Sequence, residues 1–229
     1  MSVWAPPGNF ESLTLAEARA LQEKLAARVC EEDPPGEPRL VAGVDAAHDA
    51  RGARTHAAAV VWELAERRVV EVATASLTMR LPYVPGLLAW RELPALLAAW
   101  GRLEGHPDLV LVDGHGRAHQ RRCGLACMVG LAIDLPTVGC AKTVLAGRFG
   151  ALGTERGSSA SLVDRGEAVG MALRTRTGVR AVYVSVGHRV TLRVACTRVL
   201  EASRFRIPEP LRAAHQEATR LHSAASLEG

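Results

Sequence analysis

Long apolar runs are absent from this 229-residue sequence. No stretch approaches the ~20 apolar residues that a membrane-crossing helix needs, so no membrane role is expected. The opening Met1-Ser-Val-Trp-Ala-Pro-Pro lacks the basic-then-apolar order of a secretory signal, and a cytoplasmic location follows as an expectation. Internal repeats and low-complexity segments are also lacking. The five cysteines (Cys30, Cys123, Cys127, Cys140 and Cys196) cannot all pair, and no Cys-x-x-Cys spacing occurs. That argues against a disulfide scaffold or a zinc ribbon. Cys123 and Cys127, four apart in an apolar stretch, read as core. Lysine is scarce beside arginine. Arginine suits bidentate phosphate contacts, although an alanine-rich, high-GC composition produces the same excess.

What is present points to one sizeable α/β domain over residues 1–229, with 1–11 and 223–229 as loose termini. Hydrophobic residues make up 48%, enough for a real core. The net charge of +4 and pI near 9.0 permit polyanion binding without establishing it. Arginines gather at Arg117, Arg121 and Arg122, at Arg174, Arg176, Arg180 and Arg189, and at Arg204, Arg206 and Arg212.

Leu109-Val-Leu-Val-Asp-Gly-His-Gly-Arg-Ala-His119 dominates the pattern. A short apolar run reads as a buried strand, and Asp113 sits where it leaves the sheet, the place where open α/β sheets bind ligands. Gly114 and Gly116 let the backbone turn and be approached closely. Leu40-Val-Ala-Gly-Val-Asp45 repeats the pattern of a strand ending in an acid.

Around these, Thr14 and Glu17 form a capping box for a helix over Leu13 to Cys30. Glu31 to Pro38 reads as a linker. Strands over Thr55–Leu64 and Val69–Leu77, joined by a turn at Ala65–Arg68, make a three-strand meander with the Asp45 strand. Leu81-Pro-Tyr-Val-Pro-Gly86 is a rigid tip with one Tyr between two prolines. It suits either a wedge between bases or a stiff turn lidding the core. Leu87–Leu103 reads as a helix carrying Glu92, with a break or kink near Leu93 because of Pro94. Arg122–Ile133 reads as a helix rich in small residues, and Pro136–Ala141 as a strand with Lys142 just beyond. Residues 146–166, rich in Gly and Ser, read as a surface loop. Ala168–Leu173 and Ala181–Val186 read as strands. Thr191 is an N-cap, and the last helix carries His215.

Asp45, Glu92 and Asp113 come from separate elements. If the two strands are neighbours, their carboxylates converge, and carboxylates that close repel unless a cation neutralises them. Hard oxygen donors favour Mg2+ or Mn2+. His215 could complete the set as a ligand or proton shuttle, and Lys142 could stabilise charge on a scissile phosphate. Each residue taken singly also fits an ordinary surface or salt-bridged side chain; the argument rests on the set.

These residues carry a resemblance. The chain resembles the endonuclease V (deoxyinosine 3′ endonuclease) family through Val41–Asp45, Leu81-Pro-Tyr-Val-Pro-Gly-Leu-Leu-Ala-Trp-Arg-Glu92, Leu111–His119, Pro136–Lys142, Ser185–Arg189 and Arg206-Ile-Pro-Glu-Pro210, in family order. The resemblance implies a ribonuclease-H-like α/β fold, a mixed central sheet with helices on both faces. It implies a monomeric, Mg2+-dependent enzyme, with Mn2+ able to substitute. That enzyme hydrolyses the second phosphodiester bond 3′ to deoxyinosine in DNA and so initiates repair. On this reading Asp45 and Asp113 hold metal, Glu92 is the third acid, Lys142 is the catalytic lysine, and His215 stands where the family has Asp or His. Pro82, Tyr83, Val84 and Pro85 match the strand-separating wedge. Gly86, Leu88, Gly114, His119 and Gly139 match the pocket for the extruded base. Departures are Gln120, where Pro is common, and Arg193, at a commonly acidic or polar position. The competing expectations are an endoribonuclease acting on inosine in edited RNA, a non-catalytic binder of inosine-containing nucleic acid, and a metal phosphatase on small substrates. The Tyr83 wedge argues against the last.

Overall fold

The protein is described here by a computed structural model over residues 4–6, 12–34, 36–49, 54–78 and 84–227. Strands β1 (Leu40–His48), β2 (Arg54–Glu63), β3 (Arg68–Thr78), β4 (Leu109–Val112), β5 (Thr137–Ala141), β6 (Ser159–Asp164), β7 (Glu167–Leu173) and β8 (Val182–His188) form one mixed sheet. Their order is β3-β2-β1-β4-β5-β8-β7-β6. The meander β1–β2–β3 is antiparallel; β1, β4 and β5 run parallel; β8, β7 and β6 return antiparallel.

Among the described residues, helices α1 (Leu15–Ala26), α2 (Leu88–Trp100), α3 (Leu125–Ile133), α4 (Leu192–Glu201) and α5 (Glu209–Leu227) cover the two faces. Side chains alternate across a strand. Ala42 and Val44 of β1 therefore join the core under α2 and α3, while Val41 joins the core under α4 and α5. This is the ribonuclease-H-like arrangement expected from the motifs. Among the described residues, no helix is long and apolar enough to cross a membrane.

Local signals place several elements. Thr14 and Glu17 make the capping box, with Glu17 N–H donating to Thr14 Oγ1 at 3.2 Å and Thr14 N–H to Glu17 Oε2 at 2.8 Å. Thr191 caps α4 by accepting from Val194 N–H at 3.4 Å.

Some expectations need correction. Residues 146–166 are not all loop, because β6 lies within them at the sheet edge. Only Leu162 of β6 is fully buried, so the strand shows little hydrophobic alternation. Helix α2 runs through Pro94 without a break, since Leu93, Ala95 and Leu96 are packed into the core. That packing outweighs the hydrogen bond proline removes. The helix after Asp113 begins at Leu125, because Arg122 adopts φ +56° and Gly124 is the N-cap. Trp4 is buried edge-on against Trp90, 6.4 Å between ring centres, so residues 4–6 are anchored. Helix α5 continues into the stretch read as a loose end.

Candidate metal centre and base cavity

Strand β1 presents Val41, Gly43 and Asp45 to the face covered by α5. A Cβ on Gly43 would lie 2.2 Å from the Pro210 carbonyl carbon, so the start of α5 rests directly on the β1 backbone. Five residues later the helix delivers His215, whose Nδ1 lies 2.7 Å from Asp45 Oδ2. Strand β4 pairs in parallel with β1, and Asp113 N–H donates to Val44 O at 3.1 Å. Asp113 thus emerges beside Asp45. Donor atoms of Asp45, Asp113 and His215 all lie within 4.8 Å of one another.

Burial, and next the charge of Asp113, lift the Asp45 carboxyl to about 6, against the pull of His215 and Lys142. Two carboxylates and an imidazole are hard-to-borderline donors suited to a small divalent cation, and the repulsion between the acids is what such an ion relieves. The donor set therefore fits Mg2+ or Mn2+.

Lys142, at the end of β5, ion-pairs with Asp113. Burial works against its charge, but the hydrogen bond to Asp113 and the charges of Asp113 and Asp45 hold the amine above its ordinary range. Its backbone is held too. The Arg206 guanidinium donates from Nη2 to Lys142 O at 2.7 Å and to Ala181 O at 3.0 Å, bridging the diverging ends of β5 and β8. Sequence reasoning quoted Arg206 within a motif without giving it this part.

Glu92 reaches the region from α2, on the opposite face from α5. It is buried, and burial pushes its carboxyl up, offset in part by a 2.9 Å hydrogen bond to His48 Nε2. His48 Nδ1 lies 3.1 Å from Thr55 Oγ1. Sequence reasoning missed His48. The signal was its place three residues after Asp45 on the same strand, which sends it to the α2 face.

Next to Asp113 lies a cavity of about 220 Å3 whose lining includes Gly86, Leu88, Gly114, His119 and Leu125. His119 is buried. Its Nδ1 accepts from Arg121 N–H at 3.2 Å, so Nε2–H is the donor to Gly86 O at 3.1 Å. Burial and then Arg121 push this imidazole down to about 4. The Arg121 side chain also donates to Gly86 O, and its Nε donates to buried Gln22 Oε1 at 2.9 Å. His115, which sequence reasoning left without a role, also lines the cavity and donates from Nε2 to Thr143 O at 2.9 Å.

Gly139 does not line the cavity. It lies beneath the loop after β4, where a Cβ would meet Gly116 N at 2.5 Å. Gly116 is equally constrained, since a Cβ there would sit 1.9 Å from Val186 O.

Val84 and Pro85 precede the cavity wall, half-buried and exposed respectively, while Pro82 and Tyr83 lie outside the described residues. Gln120 is exposed beside Gly86. Arg193 is remote from the acids and pairs with Asp33 at 3.3 Å.

The family model for endonuclease V matches residues 23–216. An endonuclease V of Roseiflexus sp. strain RS-1 is 47% identical over 202 residues, 88% of this chain and 90% of that one. The crystal structure of endonuclease V from Streptomyces avermitilis is similar at 43% identity and a TM-score of 0.90, covering 96% and 97% of the two chains. The fold also matches Ciona intestinalis endonuclease V in complex with a 24mer DNA containing an inosine followed by a ribo-adenosine. That match has 24% identity and a TM-score of 0.76, and covers 92% and 98% of the chains.

Proposed function

The chain belongs to the endonuclease V family, and on that basis we propose that it cuts inosine-containing DNA at the second phosphodiester bond 3′ to the lesion, using Mg2+ or Mn2+. The observation that carries this reading is the cluster of Asp45, Asp113 and His215 beside a cavity walled by glycines and leucines. The Ciona relative bound to inosine-containing DNA supports the choice of substrate.

In this reading Asp45 and Asp113 hold the metal, His215 completes the set, and Glu92 is the third acid. A bound Mg2+ supplies polarisation of the phosphate and a more acidic attacking water. The protein's own groups do the rest. Lys142 keeps a positive charge at the edge of Asp113, where charge builds on the phosphate oxygens. His215 Nδ1, 2.7 Å from Asp45 Oδ2, has its ring already turned towards the place of the ion. Half-buried His48 holds the buried Glu92 carboxyl and keeps the acid aimed at the same end of the sheet.

An extruded base enters the cavity between Leu88 and Leu125, where Gly86 and Gly114 expose backbone for reading its edge. His119, neutral near pH 7, keeps the Gly86 carbonyl fixed. Gly139 serves by letting the loop sit close. Pro82, Tyr83, Val84 and Pro85 act as the wedge that holds the strands apart. The enzyme works as a monomer.

Matched single-stranded oligonucleotides test the proposal, one with deoxyinosine and one with riboinosine, each with Mg2+ and with EDTA. A metal-dependent nick one nucleotide beyond deoxyinosine is expected. Strong preference for riboinosine would move the role to RNA, and tight binding without cleavage would leave a binder.

A further inference from the structure

A second hollow opens on the other side of Lys142, and the mechanism above leaves it unused. It measures about 500 Å3, and Thr143 lines both it and the base cavity, so the two meet beside the ion pair of Lys142 and Asp113. Among the described residues its lining carries Lys142, Arg174, Arg180 and Arg206 and no acidic residue.

Two of these arginines are anchored in the fold. Arg206 holds Lys142 O and Ala181 O. Arg174 donates to Gly153 O at 2.5 Å and also to Val179 O. Both set a fixed positive field. Arg180 differs: it is exposed, and among the described residues its guanidinium makes no hydrogen bond or ion pair. Phe149 and Tyr183 also line the hollow, their ring centres 5.7 Å apart and planes tilted by 52°. A basic groove interleaved with aromatic rings is how proteins track a single strand without reading its sequence.

We propose that this groove holds the DNA strand on the 3′ side of the cut, with a phosphate on Arg180 and a base against Phe149 and Tyr183. The inference rests on the function proposed above. If the lesion base fills the first cavity and the bond to be cut lies at Asp113 and Lys142, the strand continuing past Lys142 runs into the groove. Its charge matches a polyanion. The aromatic pair gives a strand with bases a contact that a lone phosphate would not use.

The test measures binding and cleavage of deoxyinosine oligonucleotides that extend either one or five nucleotides beyond the expected cut. Binding is read by anisotropy in EDTA, so it does not depend on chemistry. The parent protein should bind the longer 3′ arm about tenfold more tightly. Arg180→Ala should collapse that ratio towards one and lower the salt slope of binding by about one. Phe149→Ala should reduce the ratio when the arm carries bases and leave it unchanged when the arm is abasic. Arg68→Ala removes the same charge from the distant β2–β3 hairpin and should keep the ratio. A parent that gains nothing from the 3′ arm, or gains only from a 5′ arm, overturns the proposal. Retention of the full ratio in Arg180→Ala also overturns it. Loss of cleavage on every substrate with the binding ratio intact would sink the proposed nuclease reading and leave the groove standing.

Discussion

The two halves of the site are built from opposite materials. The Asp45–Asp113–His215–Lys142 side consists of charged side chains held against one another, with the Asp45 carboxyl lifted to about 6 by burial and by its neighbour. The cavity side leans on backbone: glycines in its wall, the tightly packed Gly116 and Gly139 beneath it, carbonyls with assigned donors, and an imidazole kept neutral. Chemistry on a phosphate needs charge that can be shifted. Reading a flat base needs surfaces that stay put. The halves should therefore fail differently, the first in rate and the second in folding and recognition.

The largest expected effect is on the charged side. Asp113→Ala should lower single-turnover cleavage by about a thousandfold while oligonucleotide binding in EDTA changes little. A variant cutting as fast as the parent would remove Asp113 from the metal site.

Next comes the backbone side. In Gly116→Ala the new methyl meets the Val186 carbonyl, and stability should fall by about 3 kcal/mol in denaturant titration. An unshifted midpoint would mean the loop has slack that the 1.9 Å approach does not suggest.

Acid should drive the halves apart. His119 has a folded pKa of about 4, below its ordinary 6.5, so its neutral form is the stable one. That contribution, about 3 kcal/mol, is complete above 6.5 and is lost as pH falls towards 4. His119→Gln should flatten this part of the stability profile. Asp45 runs the other way: its raised pKa means protonation relieves the fold as pH drops through about 6, while removing a metal donor. The rise in melting temperature caused by Mg2+ should therefore shrink below about pH 6, and a constant rise down to pH 5 would contradict the assignment.

The smallest effect tests the frame that holds Lys142 on the charged side. Arg206→Lys keeps the charge but cannot bridge the Lys142 and Ala181 carbonyls. We expect kcat to fall about tenfold at nearly constant KM; a rise in KM alone would make Arg206 a phosphate contact instead.

The contrast also explains what could be read from the chain. Asp45 and Asp113 were legible because each follows an apolar run, and the two runs turn out to be paired neighbours, although β1 continues to His48 and Asp45 sits within the strand rather than at its end. The meander was legible from its period-two pattern and its turn. Strand β6 escaped because an edge strand with one fully buried side chain leaves no alternation. His48 escaped because its partner lies 44 residues away on α2, and Arg206 because its acceptors are main-chain carbonyls that no pattern of side chains marks. Gly139 was assigned to the cavity wall, yet the structure puts it one layer below, a distinction that depends on how the loop stacks.

The contact of Gly43 with Pro210 has a thermodynamic consequence. With no side chain between strand and helix, the azimuth and height of α5 over β1 are set by two main chains touching. The loss of configurational entropy in gathering two carboxylates and an imidazole then falls on the folding step rather than on ion capture. Such a site should load rapidly and release its ion without melting, so a chelator would silence the protein while leaving its sheet intact.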